Sequence, residues 1–138
     1  MASQNVSFDP ALLTQEEANM LLDKIKQNSV ECQDSACRNW AKNALKNGYP
    51  QMKIGVGIAA KFGNPNRPFN PACILYSITN NFKLYKQNNI RLSHICHNKL
   101  CLNIDHLVME ELSTNIQRNC CYGNGDCSGH PNKIDCIL

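Results

Sequence analysis

A chain of 138 residues has room for one domain, and 43% hydrophobic against 18% charged residues separates it from disordered tails. No apolar run is long enough to span a bilayer and no secretory signal opens the sequence, so an intracellular protein, nuclear or cytoplasmic and not secreted, is expected. A net charge of +3, from 14 Lys+Arg against 11 Asp+Glu, is too small to mark the chain as a whole for nucleic acid.

The first element is a helix. Thr14-Gln15-Glu16-Glu17 is a capping box, in which Thr14 accepts from the Glu17 amide and Glu17 reaches back. Met20, Leu21, Leu22 and Ile25 follow at helical spacing, which predicts a helix over 15–27 packed as an outer layer. Residues 28–36 are polar and read as a loop. Between 40 and 91 stand Lys42, Lys46, Lys53, Lys61, Arg67, Lys83, Lys86 and Arg91, with no Asp or Glu. Such a run suits either a phosphate-facing surface or a solvated face. Met52, Ile54, Val56 and Ile58 alternate, so strands are expected over 49–62, with Gly55 and Gly57 permitting a bend and a turn over 63–68. Pro71 opens a helix expected from Ala72 to about Phe82. Asn88-Asn89 is a turn, and 90–94 a short strand. No repeat or linker divides the chain, so a single domain over 1–138 is expected.

All four histidines and six of the nine cysteines fall within the 43 residues from His94 to Cys136. In a chain without a secretory signal these read as metal ligands, not disulfides. Cys96-x4-Cys101-x4-His106 offers three ligands in one loop. Zinc takes four in a tetrahedron, so the fourth comes from elsewhere. Cys121-x5-Cys127-x2-His130-x5-Cys136 is a complete Cys3His set in sixteen residues, with Gly123, Gly125 and Gly129 letting the loop wrap. Two structural zinc ions are therefore expected. Each Cys3His site would carry +2 − 3 = −1, taking the net charge to about +1. His94 and His97 are left over.

The order Ser93-His94-x-Cys96-His97-Asn98-x2-Cys101-x-Asn103-x2-His106-Leu107, then Asn115-x2-Arg118-Asn119-x-Cys121, resembles the His-Cys box of intron-encoded homing endonucleases. That family belongs to the ββα-metal, or His-Me finger, nucleases. The resemblance is dense over 92–136 and looser but collinear upstream. It implies an α+β fold: a small zinc-stapled ββα-metal domain with a DNA-contacting antiparallel sheet over 49–68 and flanking helices. The active-site motif would span 90–118 and the C-terminal zinc loop 120–136. Through Cys37-Arg38-Asn39-Trp40 and Gly48-Tyr49, it implies Cys37 as the fourth ligand of the first site, with Cys32 and Cys73 as competitors. Cys120 would be a packing thiol.

By the same resemblance His94 is the general base, and Asn115 holds one catalytic Mg2+ from the start of a helix that Ser113 caps. Arg67 would pair with the scissile phosphate, and Gln51, Lys53, Lys61 and Asn64 would read bases or grip backbone. His97 is left structural or phosphate-contacting. The implied activity is Mg2+-dependent cleavage of double-stranded DNA to 5′-phosphate and 3′-hydroxyl ends. The alternatives are a non-catalytic, sequence-specific DNA-binding module on the same fold and a zinc-stapled protein-interaction domain. Family homodimers embrace through a C-terminal tail, whereas this sequence stops at Ile137-Leu138. A homodimer on a roughly palindromic target and a monomer are both open.

Overall fold

The computed structural model describes residues 6–44, 46–63, 66–85, 89–130 and 133–137. Its first helix, α1 (Gln15–Gln27), starts as the capping box predicts: Glu17 N–H donates to Thr14 Oγ at 3.0 Å, and Thr14 N–H to the Glu17 carboxylate at 2.9 Å. Leu21 and Ile25, four residues apart, turn into the core, while Met20 stays exposed. The helix ends at Asn28, whose side-chain amide donates to the Lys24 carbonyl at 2.7 Å.

The segment expected as a loop contains a strand. β2 (Ser29–Glu31) pairs antiparallel with β3 (Arg38–Trp40), and both escape a periodicity reading because three residues are too few to show one. Arg38 pins the hairpin by donating from Nε to Ser29 Oγ at 2.6 Å and from Nη2 to the Lys26 carbonyl at 3.0 Å. The far edge of β3 bonds to the 100–102 segment: Trp40 N–H donates to the Leu100 carbonyl at 2.9 Å, and Leu102 N–H to the Arg38 carbonyl. That pairing brings Cys37 to Cys101.

The strands expected over 49–68 are not formed. Met52 and Phe69 make one isolated bridge, Ala44 and Pro50 another, and Val56–Ala60 is a short helix, α2. The cause is Gly55, at φ +95°, a conformation that breaks the extended run and leads directly into α2. Met52, Ile54 and Ile58 are buried as the alternation requires, but Val56 is 66% exposed. Asn64 and Asn88 lie outside the described residues.

α3 (Pro71–Asn80) has proline in its first turn, and Asn70 Oδ1 caps it by accepting from the Ala72 amide at 2.9 Å. It stops two residues short of the expected Phe82, at Asn81 in the left-handed conformation. Two further short strands, β1 (Val6–Phe8) and β4 (Leu84–Tyr85), pair antiparallel. Phe8 centres a cluster with Phe62 and Phe69, at ring separations of 4.8 and 5.9 Å. Leu21, Ile25, Trp40, Ile54, Ile58, Ala72, Ile74, Leu102 and Leu107 complete one core.

β5 (Ile90–His94), at its expected bounds, pairs antiparallel with β6 (Leu107–Glu111) in the register Ile90↔Glu111, Leu92↔Met109 and His94↔Leu107. β6 runs directly into α4 (Leu112–Asn124), which packs back across both strands as a ββα unit. Ser113 is not the cap. Glu111 holds that position without a side-chain bond, and Leu112 N–H is taken up by the Asn89 carbonyl at 3.0 Å. The fold is α+β.

Candidate functional site

The first Cys–His cluster is assembled by long-range backbone pairing. The β3 contact to 100–102 delivers Cys37, and Ile95 N–H donates to the His106 carbonyl at 2.9 Å, closing the 96–106 loop. Within that loop His97 takes φ +60° and donates its N–H to the His94 carbonyl at 2.8 Å. The donor atoms of Cys37, Cys96, Cys101 and His106 lie within 4.8 Å of one another. His106 Nδ1 stands 3.7 Å from Cys37 Sγ and 3.5 Å from Cys101 Sγ. With Zn–S near 2.3 Å and Zn–N near 2.0 Å, a tetrahedral N···S edge is about 3.5 Å, so the spacing fits zinc. Cys32 and Cys73 stand outside the cluster. A thiol hydrogen bond from Cys96 pulls Cys101 down to about 4 and pushes Cys96 itself far up. Cys101 thus favours thiolate character, with the thiol of Cys96 as its donor. The other nitrogen of His106 faces Asn103 Nδ2 at 3.5 Å, and that amide also donates to the Ala36 carbonyl at 2.7 Å.

The second cluster is local. Cys121 lies in the last turns of α4, Gly125 at φ +71° ends the helix, and the chain folds back to bring Cys127, His130 and Cys136 to it. His130 Nε2 lies 3.7, 3.5 and 3.6 Å from the sulfurs of Cys121, Cys127 and Cys136, again the tetrahedral edge for zinc. Its Nδ1 faces Gln117 Oε1 at 3.4 Å. Beyond Cys136, Ile137 N–H donates to the Ile95 carbonyl at 2.7 Å, joining the second cluster to the loop of the first. Cys120, expected to pack, is exposed, because its neighbour Cys121 occupies the inward face of α4.

Between the clusters lie His94 and Asn115. His94 closes β5 and is half-buried, and its Nε2 has no hydrogen-bond partner. Burial pushes its imidazole below the ordinary value. Asn115, in the first turn of α4, donates from Nδ2 to Ser93 Oγ at 2.9 Å, on the residue before His94. Ser93 in turn donates to Glu110 Oε2. Glu110 also accepts from Arg118 in two-point fashion, from Nε at 2.5 Å and from Nη2 at 3.0 Å. Arg118 Nη1 donates to Cys136 Sγ at 3.5 Å. Both ends of the ion pair are 2% exposed. Burial alone would raise the Glu110 carboxyl, but the bonds from Arg118 and Ser93 hold it below its usual value. Sequence reading gave these three residues no role. The available signal was the matched motif for Ser93 and Arg118. For Glu110 it was only a position diagonal to Ser93 on the same strand pair.

The remaining expected residues divide. His97 stacks on Tyr122, with centroids 4.9 Å apart, and its Nε2 is buried without a partner. Arg67 lies over the Phe69 ring at 4.9 Å and lines a cleft of about 360 Å3 with Asn70, Tyr85, Arg91, Leu92 and Met109. Among the described residues no hydrogen bond or ion pair joins it to His94 or Asn115. Lys61 is engaged inside the protein: it donates to Glu17 Oε1 at 2.6 Å and to the Leu12 carbonyl at 3.0 Å, bracing α2 against α1. Lys53 is exposed, and with Gln51, Lys24 and Lys42 it lines a groove floored by Trp40 and Met52.

A family model described as the zinc-binding loop region of homing endonuclease matches residues 34–135. No curated protein and no solved structure matches the chain. Among the described residues no helix is long and apolar enough to cross a membrane.

Proposed function

The chain belongs to the His-Cys box homing endonuclease family, whose zinc-binding loop spans residues 34–135 here, and from that premise we propose that it is a Mg2+-dependent, zinc-stabilised endonuclease of double-stranded DNA. It hydrolyses phosphodiester bonds to 5′-phosphate and 3′-hydroxyl ends. The observation that carries this reading is the bond from Asn115 to Ser93, the residue before His94, on one ββα unit held at each end by a Cys3His cluster.

His94 has the features of a general base. Its Nε2 is buried and has no partner within the protein, so it is free to take a proton from a water beside the phosphate once DNA binding opens the ring to the site. The turn that follows His94 is fixed by the first cluster, which keeps the ring from drifting. Asn115 has its Nδ2 engaged with Ser93, which leaves the amide oxygen, a hard donor suited to Mg2+. The metal, when bound, offsets negative charge on the departing 3′-oxygen. One protein ligand suits an ion that keeps most of its waters and takes others from DNA phosphate. The groove of Lys24, Lys42, Gln51 and Lys53 grips the backbone, while Arg67 and Arg91 hold a phosphate flanking the cleaved one.

Purified protein should nick supercoiled plasmid in Mg2+, and His94→Ala should cut about 10²-fold more slowly or worse. Equal cutting by that variant sinks the assignment. The lack, among the described residues, of any hydrogen bond or ion pair from Arg67 to His94 or Asn115 is the one observation that favours a non-catalytic DNA-binding module. Specific binding with no cleavage in Mg2+ or Mn2+ would establish that reading instead. Sedimentation with and without DNA separates a homodimer from a monomer.

A further inference from the structure

An unbroken line of hydrogen bonds runs from Asn115 through Ser93 and Glu110 to Arg118, and ends on the sulfur of Cys136. We propose that Ser93, Glu110 and Arg118 are positioning residues that fix which end of the Asn115 amide faces the catalytic cation. The inference rests on reading Asn115 as the Mg2+ ligand.

The physical argument is one of hydrogen-bond polarity. An asparagine amide has two nearly isosteric ends, and only the oxygen can bind a cation. A half-turn would present NH2 to the metal at no steric cost, so a neighbour must break the tie. Arg118 can only donate, and its two-point bond keeps Glu110 in the form that can only accept. The Ser93 hydroxyl has one proton, and it goes to Glu110. Ser93 Oγ then has only lone pairs left for Asn115, so it accepts from Nδ2 and repels Oδ1. The direction of these bonds follows from the fixed charge at the far end, and a longer bond from Asn115 Nδ2 to the Leu92 carbonyl, at 3.5 Å, favours the same orientation. Arg118 is held by α4 and by Cys136, so the second cluster anchors the line.

The test compares Ser93→Ala, Ser93→Thr and the isosteric Glu110→Gln with the wild type. Two readouts are needed: single-site cleavage, and Mn2+ affinity measured by EPR on a complex with cleaved product DNA. Ser93→Ala should keep two zinc ions per chain and its KM for DNA, and should still unfold cooperatively, at a temperature lowered by the lost bond to Glu110. Its kcat and its Mn2+ affinity should each fall about 10–100-fold, the usual effect of removing a partner of a metal ligand. Ser93→Thr keeps the hydroxyl and should recover most of both. Glu110→Gln supplies an NH2 that lets Ser93 reverse its proton, and should lose Mn2+ affinity as Ser93→Ala does. In 15N spectra, the Asn115 side-chain NH2 should exchange faster in Ser93→Ala than in the wild type, with only the longer bond to the Leu92 carbonyl left to protect it. Wild-type kcat and Mn2+ affinity in Ser93→Ala, beside an active wild type, would overturn this proposal alone. A wild type that neither cuts DNA nor binds Mn2+ overturns the ligand role of Asn115 and takes the proposal with it.

Discussion

The two Cys–His clusters use the same donor set but close very different loops. The first joins Cys37 to a loop beginning at Cys96, and three of its four ligands are buried. The second takes all four ligands from sixteen consecutive residues, three of them half-buried. A link across a long stretch removes more freedom from the unfolded chain than a link across a short one, though the dependence is only logarithmic. What separates the clusters more is what each fastens. The first locks β3, the core tryptophan and the turn after His94 together. The second fixes the end of α4 and the returning tail. One cluster is a condition of the fold, and the other trims and braces it.

The largest expected effect follows from that contrast. Cys101→Ser should abolish the cooperative thermal transition, because zinc binding on the order of 10 kcal/mol is then missing at the point where distant segments meet. Cys127→Ser should keep a transition at lower temperature, with faster hydrogen exchange confined to the end of α4 and residues 133–137. If both variants unfold alike, the proposed division of labour is wrong.

Next in size is the ion pair between the clusters. Removing one partner of a buried pair strands the other, so Arg118→Ala should cost about 3–5 kcal/mol in denaturant unfolding. The same pair carries a pH signature. The folded Glu110 carboxyl is held below its ordinary value of 4.5, so its contribution is complete above that pH and is lost as pH falls through the lowered value. The Tm difference between wild type and Glu110→Gln should therefore shrink on acidification below about pH 4.5. A difference that stays constant or grows would contradict the bond pattern.

The smallest effects sharpen the contrast between bracing and binding among the lysines. Lys61→Ala should cost under about 1 kcal/mol of stability and leave DNA affinity unchanged, because Lys61 is already paired with Glu17. Lys53→Ala should leave stability alone, weaken DNA binding at low salt and lower the salt slope by about one. The reverse pattern would put Lys61 on the DNA, as the family resemblance implies.

What could be read from the sequence follows the range of the interactions. The capping box of Thr14 and Glu17, the strand over 90–94 and the four ligands from Cys121 to Cys136 are local patterns, and the structure carries each at its expected place. The run over 49–68 misleads because alternation assumes an extended backbone, and Gly55 leaves it. β1 and β4 have two or three residues each, too few for a period. Sequence spacing alone left the fourth ligand of the first cluster open. The family resemblance points to Cys37, and the bonds from β3 to Leu100 and Leu102 bring it there. The pairing of Glu110 with Arg118 spans a strand-to-helix corner, and no periodicity marks such a partner.

The bond from Ile137 to Ile95 has a practical meaning. Ile95 sits directly between His94 and Cys96, so whatever is attached just past Ile137 is mechanically coupled to the turn after His94. A fluorophore there would report on that turn, and a tether pulled from there would load it before the core feels the force.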